Sequence, residues 1–461
     1  MSALPVIAVF DVGKTNKKIF LFNEQYAIVE ERSVQFPETT DEDGDPCEDI
    51  DQLTDWMKES LRGFDALRDF EVKAINFSAY GASFVHLDAG GKPMLPLYNY
   101  LKPYPENLQR QFYDDYGGET EISMHTASPV LGSLNSGMQL YRLKQERKAV
   151  FDKIDCSLHL PQYLSFLASG AKYSDITSIG CHTLLWDFSQ HRYHEWVYRE
   201  GIIGKLAPIF PSAETIRLTA GKGAERMAGI GLHDSSAALI PYLAAFREPF
   251  ILISTGTWCI SLNPFNPSRP NAEELKQDCL CYLAYTGKNV KASRLFAGYE
   301  HEQQVKKLAE HFHVAPQYYE TILYDRSLVA ALGKRFLPIE KIKTEGSAQT
   351  GASAFSERAL SSFNSYEEAY HQLMIDIVRQ QVASTKLIMP DDPVKRIFVD
   401  GGFSRNSLFM HLLSLSFPGI EVYAAAVPQA TAIGAALAIH QRWPGMQIPA
   451  NIIELQLYPK F

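Results

Sequence analysis

Short apolar runs, each interrupted by a small polar turn, set the rhythm of this chain. Val6-Ile7-Ala8-Val9-Phe10 leads into Asp11-Val12-Gly13-Lys14-Thr15, and Ile19-Phe20-Leu21-Phe22 follows. Past the midpoint the plan returns as Phe250-Ile251-Leu252-Ile253, then Ser254-Thr255-Gly256-Thr257-Trp258, then Ile260-Ser261-Leu262. Apolar runs flanking a glycine-bearing turn predict β-hairpins. One hairpin opens each half of the chain, so the sequence divides into residues 1–245 and 246–461, with the boundary in Ala244-Ala245-Phe246-Arg247-Glu248-Pro249. Ala74-Ile75-Asn76-Phe77-Ser78 reads as a further strand, and Tyr366 to Leu387 carries helical spacing. Strands alternating with helices in both halves predict α/β domains with mixed sheets. The acidic stretch Asp41 to Asp51 reads as a surface loop.

A third pattern joins strand to helix. Ile397-Phe398-Val399 runs into Asp400-Gly401-Gly402-Phe403-Ser404-Arg405-Asn406, and Ser407-Leu408-Phe409-Met410-His411-Leu412-Leu413 is spaced like a helix. Glycine leaves no Cβ in the way, and a helix N-terminus offers unpaired N–H groups, so such a turn can bring backbone against a flat or anionic ligand. Plain turns share the same pattern.

Length and composition narrow the classes. A chain of 461 residues with 46% hydrophobic and 21% charged residues buries sizeable cores in more than one domain. A formal charge of −9 argues against nucleic acid or an anionic membrane as the main partner. No apolar run approaches the ~20 residues that cross a bilayer. The start, Met1-Ser2-Ala3-Leu4-Pro5-Val6, lacks the basic segment of a signal peptide. Six scattered cysteines suit reduced thiols in a cytoplasm. Cys279 and Cys281 share one face of a predicted strand, which makes them core residues rather than half of a zinc site.

Gly13-Lys14-Thr15 invites a phosphate-loop reading that fails. That motif needs glycine five positions before Gly13, where Ala8 stands, and the turn leads into a strand rather than a helix. What remains is a hairpin loop with Asp11, Thr15, Asn16 and Lys17, able to offer N–H groups and hydroxyls to phosphates, with Asp11 available to Mg²⁺ through water. Ser254-Thr255-Gly256-Thr257 has the same character. Two such hairpins facing each other across a cleft, with the glycine turn beside them, make a nucleotide clamp.

These motifs, in this order over nearly the whole chain, resemble those of the FGGY carbohydrate kinases. That family belongs to the actin/hexokinase superfamily of two ribonuclease-H-like domains with an interdomain cleft. Asp11–Thr15 resembles its first phosphate motif, Ser254–Trp258 the second, and Asp400–Asn406 the adenosine motif. Ala430-Thr431-Ala432-Ile433-Gly434-Ala435-Ala436 resembles its small-residue helix near the hinge, and Gly231-Leu232-His233-Asp234-Ser235-Ser236-Ala237-Ala238 the segment with the catalytic aspartate. Within the family, Ser78 to Asp88, Leu134-Asn135-Ser136, Leu160-Pro161-Gln162-Tyr163 and Ser174 to Ser178 with Thr183 are similar to the L-rhamnulose kinases.

The resemblance implies transfer of the γ-phosphoryl group of ATP to a ketose, with ATP and Mg²⁺ as cofactors and homodimers known in the family. It implies nucleotide contacts from Asp11, Gly13, Lys14, Thr15, Asn16, Lys17, Thr255, Gly256, Thr257, Gly401, Gly402, Ser404 and Asn406. Tyr80, Gly81, Ala82, Asn135 and His233 are implied at the sugar. Asp234 is implied as general base, although an aspartate opening a helix also serves as an N-cap. Two departures stand out: Lys14 replaces a small residue, and Tyr98-Asn99-Tyr100-Leu101-Lys102-Pro103 replaces a stretch that usually holds an Arg-Asp pair.

Overall fold

The computed structural model describes residues 3–219, 225–335, 353–389, 394–427, 429–444 and 447–459. They form two compact units. The first is Met1–Ala245 together with Cys281–Asn289 and Pro428–Ile452; the second is Phe246–Leu280, Val290–Val427 and Ile453–Phe461.

In the first unit the strand Leu4–Val12 is central. It pairs antiparallel with Lys17–Phe22, which pairs with Ile28–Val34, and on its other side runs parallel to Phe70–Ala79. Glu225–Ala228 and Leu232–His233 run parallel to Phe70–Ala79 in turn. A strand with parallel and antiparallel neighbours and both faces covered must be apolar on both faces, which is why Val6 to Phe10 shows no alternation. Val6, Ala8 and Phe10 pack into one core with Leu53, Met57 and Phe77. The helices Asp234–Ala245 and Ala430–Ala438 belong to the same unit and pack together. They approach so closely that a Cβ on Gly434 would lie 1.9 Å from the Ala237 carbonyl oxygen.

The acidic stretch departs from the surface loop expected of it. Asp49 caps the helix Ile50–Gly63, accepting from Asp51 N and Gln52 N. Asp41 is buried and pairs with the Lys102 ammonium, and Glu48 is buried against Lys17. Lys102 lies in the 98–103 stretch that departs from the family pattern, so that stretch is tied to Asp41 by charge.

The second unit repeats the plan. Phe250–Thr255 pairs antiparallel with Cys259–Asn263, which pairs with Asn289–Leu295, and runs parallel to Arg396–Gly401. Glu421–Ala426 continues the parallel side and Glu454–Tyr458 closes it antiparallel. The long helix is Tyr366–Lys386, capped by Ser365 through Glu368 N. The strand Cys279–Leu283 is buried along its whole length, as its two thiols suggested. Among the described residues no helix is long and apolar enough to cross a membrane.

Several histidines are held neutral inside these cores. Burial pushes the pKa of His86 and His159 down to about 3 and that of His301 to about 4. Each bonds a neutral partner: Ser157, Ser136 and Tyr370 respectively. An unfolded chain protonates these rings near pH 6.5. Below that pH the unfolded state therefore binds more protons, and stability falls until the folded values are reached. Between pH 6.5 and 4.5 each ring should remove up to about 1.4 kcal/mol per pH unit. Urea unfolding over this range checks it: His159→Gln should flatten the pH dependence, and an unchanged slope would show that this ring is not held neutral.

Candidate active site

Strand register assembles the first half of the site. Asp11 pairs with Ser78 and Val12 with Ala79, while Leu232 and His233 pair with the same Ser78 and Ala79 from the other side. The ends of three adjacent strands thus bring Asp11, Tyr80-Gly81-Ala82 and His233-Asp234 to one edge of the sheet. The packing there is close enough that a Cβ on Gly81 would lie 2.6 Å from His233 Cδ2. Ala82 takes φ of +60°, and its carbonyl accepts from buried Gln139.

Asp234 opens its helix, and its Oδ1 accepts from Ser235 N at 2.6 Å. His233 Nε2 stands 3.3 Å from the same oxygen, and the Asp234 side chain keeps 35% of its surface exposed. One carboxylate oxygen is thereby fixed by its own helix and the other has no hydrogen-bond partner among the described residues. His233 is buried, which lowers its pKa despite the neighbouring Asp234 charge, so the ring is neutral. Its backbone N–H donates to Thr177 Oγ1, and its Nδ1 has no partner among the described residues.

Asp11 is the second carboxylate. Burial raises its pKa to about 6; the Thr431 hydroxyl, donating to Oδ2 at 2.7 Å, opposes that rise and the Asp234 charge adds to it. A half-buried carboxylate with few donors, beside a second acid, fits a hard cation that would restore the missing positive charge.

Other residues of the expected site are occupied differently. Lys17 was expected at the phosphates, but its ammonium is buried in an ion pair with Glu48 and donates to the Lys14 carbonyl. Tyr80 donates to the same Glu48. Lys14 pairs with Glu38 at 3.0 Å. Asn16 accepts from Gln35, and Gly13 N–H closes the hairpin on the Asn16 carbonyl. Thr15 is exposed. Asn135 is fully buried and uses its whole amide internally, accepting from Leu131 N and donating to Ser128 Oγ and the His182 carbonyl. Its amide holds neighbouring backbone together and leaves no free group for a sugar.

Three contributors escaped the sequence reading. Thr431 lies in the small-residue helix motif, where the resemblance implies no role for it. Glu48 sat in a stretch read as loop. Tyr282 comes from the segment Cys281–Asn289, which is anchored in the first unit by Cys281 N to the Ala127 carbonyl and Leu283 N to the Gly180 carbonyl. Its ring stands 5.6 Å from that of His233 and 6.1 Å from that of His182. No local signal marks Tyr282; only the fold puts it there.

The second unit holds a different kind of site. Ser254 pairs with Asp400 and Thr255 with Gly401. The Thr255 hydroxyl donates to the Asp400 carbonyl and accepts from Phe403 N, so it stitches the two turns together instead of waiting for a phosphate. Gly401 takes φ of +79°, and a Cβ there would lie 1.8 Å from the Thr255 carbonyl oxygen. A Cβ on Gly298 would meet the Gly256 carbonyl oxygen at the same distance. These approaches open a cavity of about 640 Å³ lined by Gly256, Gly298, His301, Tyr319, Leu323 and Gly402 among others. Gly256 and Thr257 are exposed. Ser404 donates to the Gly401 carbonyl, and Asn406 caps the helix Ser407–Ser416 while donating to Tyr370. Asn406 and Ser404 therefore hold the turn's shape.

Residues 6–240 match the N-terminal domain of the FGGY family of carbohydrate kinases, and residues 247–447 match the FGGY carbohydrate kinase C-terminal domain. The chain belongs to this family. Among curated relatives, a rhamnulokinase of Halalkalibacterium halodurans is 25% identical over 38% of this chain and 37% of its own length. A rhamnulokinase of Oceanobacillus iheyensis is 22% identical over 46% of each. The matched stretch thus spans less than half of the curated relatives' length. Among solved structures, a carbohydrate kinase from Novosphingobium aromaticivorans superposes with a TM-score of 0.78 at 22% identity, over 99% of this chain and 95% of that one. A xylulose kinase from Lactobacillus acidophilus gives 0.79 at 16% identity, over 99% and 94%. Two domains of mixed sheets and helices, matched to such structures, define the actin/hexokinase-like fold.

Two neighbouring glycines should respond differently to substitution. Nothing lies within 4 Å of a Cβ built on Gly402, which lines the cavity. Gly402→Val should fold and weaken nucleotide binding roughly tenfold or more, read by titration calorimetry. Gly401→Ala should lower the melting temperature before any binding is measured, since a Cβ there meets backbone. Equal nucleotide affinity in folded Gly402→Val would separate that cavity from the nucleotide.

Proposed function

We propose that this protein is an ATP-dependent carbohydrate kinase that transfers the γ-phosphoryl group of ATP to a ketose, at O1 of a 6-deoxy-ketohexose such as L-rhamnulose. The observation that carries the reading is Asp234: a carboxylate with one oxygen fixed by its own helix, the other without a partner among the described residues, beside a neutral buried imidazole. Phosphoryl transfer asks the protein for a positioned hydroxyl, a base for its proton and charge neutralisation at the phosphates. Asp234 takes the proton of the acceptor hydroxyl. His233 offers Nδ1 to a sugar hydroxyl, with Gly81 leaving room for its ring and Tyr282 backing it.

Asp11 would hold Mg²⁺, through water, and the ion when bound neutralises phosphate charge. The glycine-lined cavity of the second unit takes the adenosine, with backbone at Gly256 and Gly402 against the nucleotide and Tyr319 and Leu323 as its apolar contacts. The choice of L-rhamnulose rests on the relatives' names and on the segments Ser78–Asp88 and Leu134–Ser136. The altered stretch Tyr98–Pro103, bound to Asp41 through Lys102, is where the acceptor would differ from theirs. Six buried thiols suit a cytoplasmic setting.

Asp234→Asn keeps the fixed oxygen and removes the base, so sugar and ATP should still bind while turnover falls about 10²–10⁴-fold. Near-full activity in that variant would reduce Asp234 to a helix cap. Coupled ADP release with MgATP against L-rhamnulose, L-fuculose, L- and D-xylulose, L-ribulose and glycerol tests the acceptor. One ketose should exceed the others clearly, and L-rhamnulose is expected to lead. Sugar binding without turnover of any of them would mean a regulator of the same fold.

A further inference from the structure

Away from the acids described above, the first unit brings together His125, Asp187 and His194. His125 sits in the last turn of the helix Glu119–Thr126; Asp187 ends the short strand Trp186–Asp187; His194 precedes the helix Glu195–Arg199 as its cap. Backbone bonds tie the three segments to one another. Phe188 N–H donates to the His125 carbonyl and His194 N–H to the Leu185 carbonyl, at 2.9 and 2.8 Å, and Arg192 pairs with Asp187 across the hairpin. The cluster is therefore built by the fold rather than gathered from loose surface side chains. Asp187 and His194 are buried, and His125 is half-buried.

The spacing is what needs explaining. One ligand atom from each residue lies within 4.8 Å of the others. Yet no hydrogen bond or ion pair joins any two of the three among the described residues. Asp187 Oδ1 instead accepts from Ser189 N, Ser189 Oγ and Gln190 N, and its second oxygen has no hydrogen-bond partner there. Two metal–ligand bonds of about 2.1 Å laid end to end span about 4.2 Å. Two donors on one tetrahedral ion lie roughly 3.4 Å apart and never more than about 4.2 Å, so three atoms gathered this closely are within reach of a single cation. The other acidic cluster of this unit, Asp41, Asp43 and Asp45, is filled already: the Lys102 ammonium pairs with all three carboxylates.

We propose that His125, Asp187 and His194 form a site for one divalent transition-metal ion of the zinc type, held by two imidazoles and a carboxylate with the remaining position open to water. Nitrogen donors with a single oxygen favour Zn²⁺, Co²⁺ or Ni²⁺ over Mg²⁺ or Ca²⁺, which take oxygen shells. The competitor is one long contact. His194 Nδ1 accepts from Trp196 N at 3.3 Å. A metal at Nε2 shifts the ring proton to Nδ1 and ends that contact, and a metal at Nδ1 displaces it directly. The ion would clip the end of one helix to the hairpin beside it. Directly next to this clip, Ala127 and Phe188 pack with Cys281 and Leu283, the residues flanking Tyr282. A metal here would stiffen the platform that holds Tyr282 near His233.

The test uses the untagged full chain, stripped with a chelator and titrated with Co²⁺ and Zn²⁺. One Co²⁺ per chain should bind with visible d–d absorption, Zn²⁺ should displace it, and Zn²⁺ should raise the melting temperature by about 2–4 °C. His125→Ala, at the half-buried ring, should fold and lose tenfold or more in Co²⁺ affinity. Asp187→Asn keeps an oxygen for Ser189 and Gln190 and should lose as much. Wild-type binding no tighter than in these variants, or an equal melting shift with Mg²⁺, overturns the site.

Discussion

Within each unit, backbone must pass backbone at a distance that excludes a Cβ, and the candidate site depends on those crossings. At Gly401 the obstacle to any side chain is the Thr255 carbonyl, and at Gly298 it is the Gly256 carbonyl. Neither obstacle can rotate away as a side chain would. The Thr255 hydroxyl then reinforces the first crossing by bonding both the Asp400 carbonyl and Phe403 N. The cavity beside these turns exists because the strands lie that close. In the first unit Gly434 is the matching crossing, barred by the Ala237 carbonyl, while Gly81 leaves the space that the His233 ring fills.

The same geometry separates two acids by environment. Asp11 sits half-buried at a strand end, where desolvation and the charge of Asp234 raise its pKa, so it is poised to take a positive partner. Asp234 stands at a helix start with 35% of its side chain exposed, and Ser235 N–H holds one of its oxygens. A sheet edge that delivers both through strand pairing can give them distinct tasks, because their surroundings rather than their chemistry differ.

What could be read from the sequence was whatever local periodicity encodes. The two hairpins, the strand–turn–helix at Asp400–Asn406 and the helix from Tyr366 all rest on short-range spacing, and each lies where the spacing put it. What could not be read was the direction in which a polar side chain turns. Lys17 and Asn135 are chemically able to meet a ligand, but Glu48 and the His182 carbonyl take them inward. Asp41 belongs to an acidic run that looks solvated until Lys102, sixty-one positions away, is folded against it. Tyr282 reaches its place only through strand pairing and anchoring that no window of sequence contains.

The first unit is also discontinuous along the chain. The helix Ala430–Ala438 lies against Asp234–Ala245, and Thr431 bonds Asp11, so residues far downstream complete it. During synthesis, about two hundred residues separate the emergence of Ala245 from that of Ile452. At ~5–20 residues per second that is a delay of tens of seconds. Throughout it the nascent first unit leaves the face of one helix and the Asp11 carboxylate without their partners. The first unit therefore cannot be completed until most of the second has been made, although the paired hairpins suggest two successive halves.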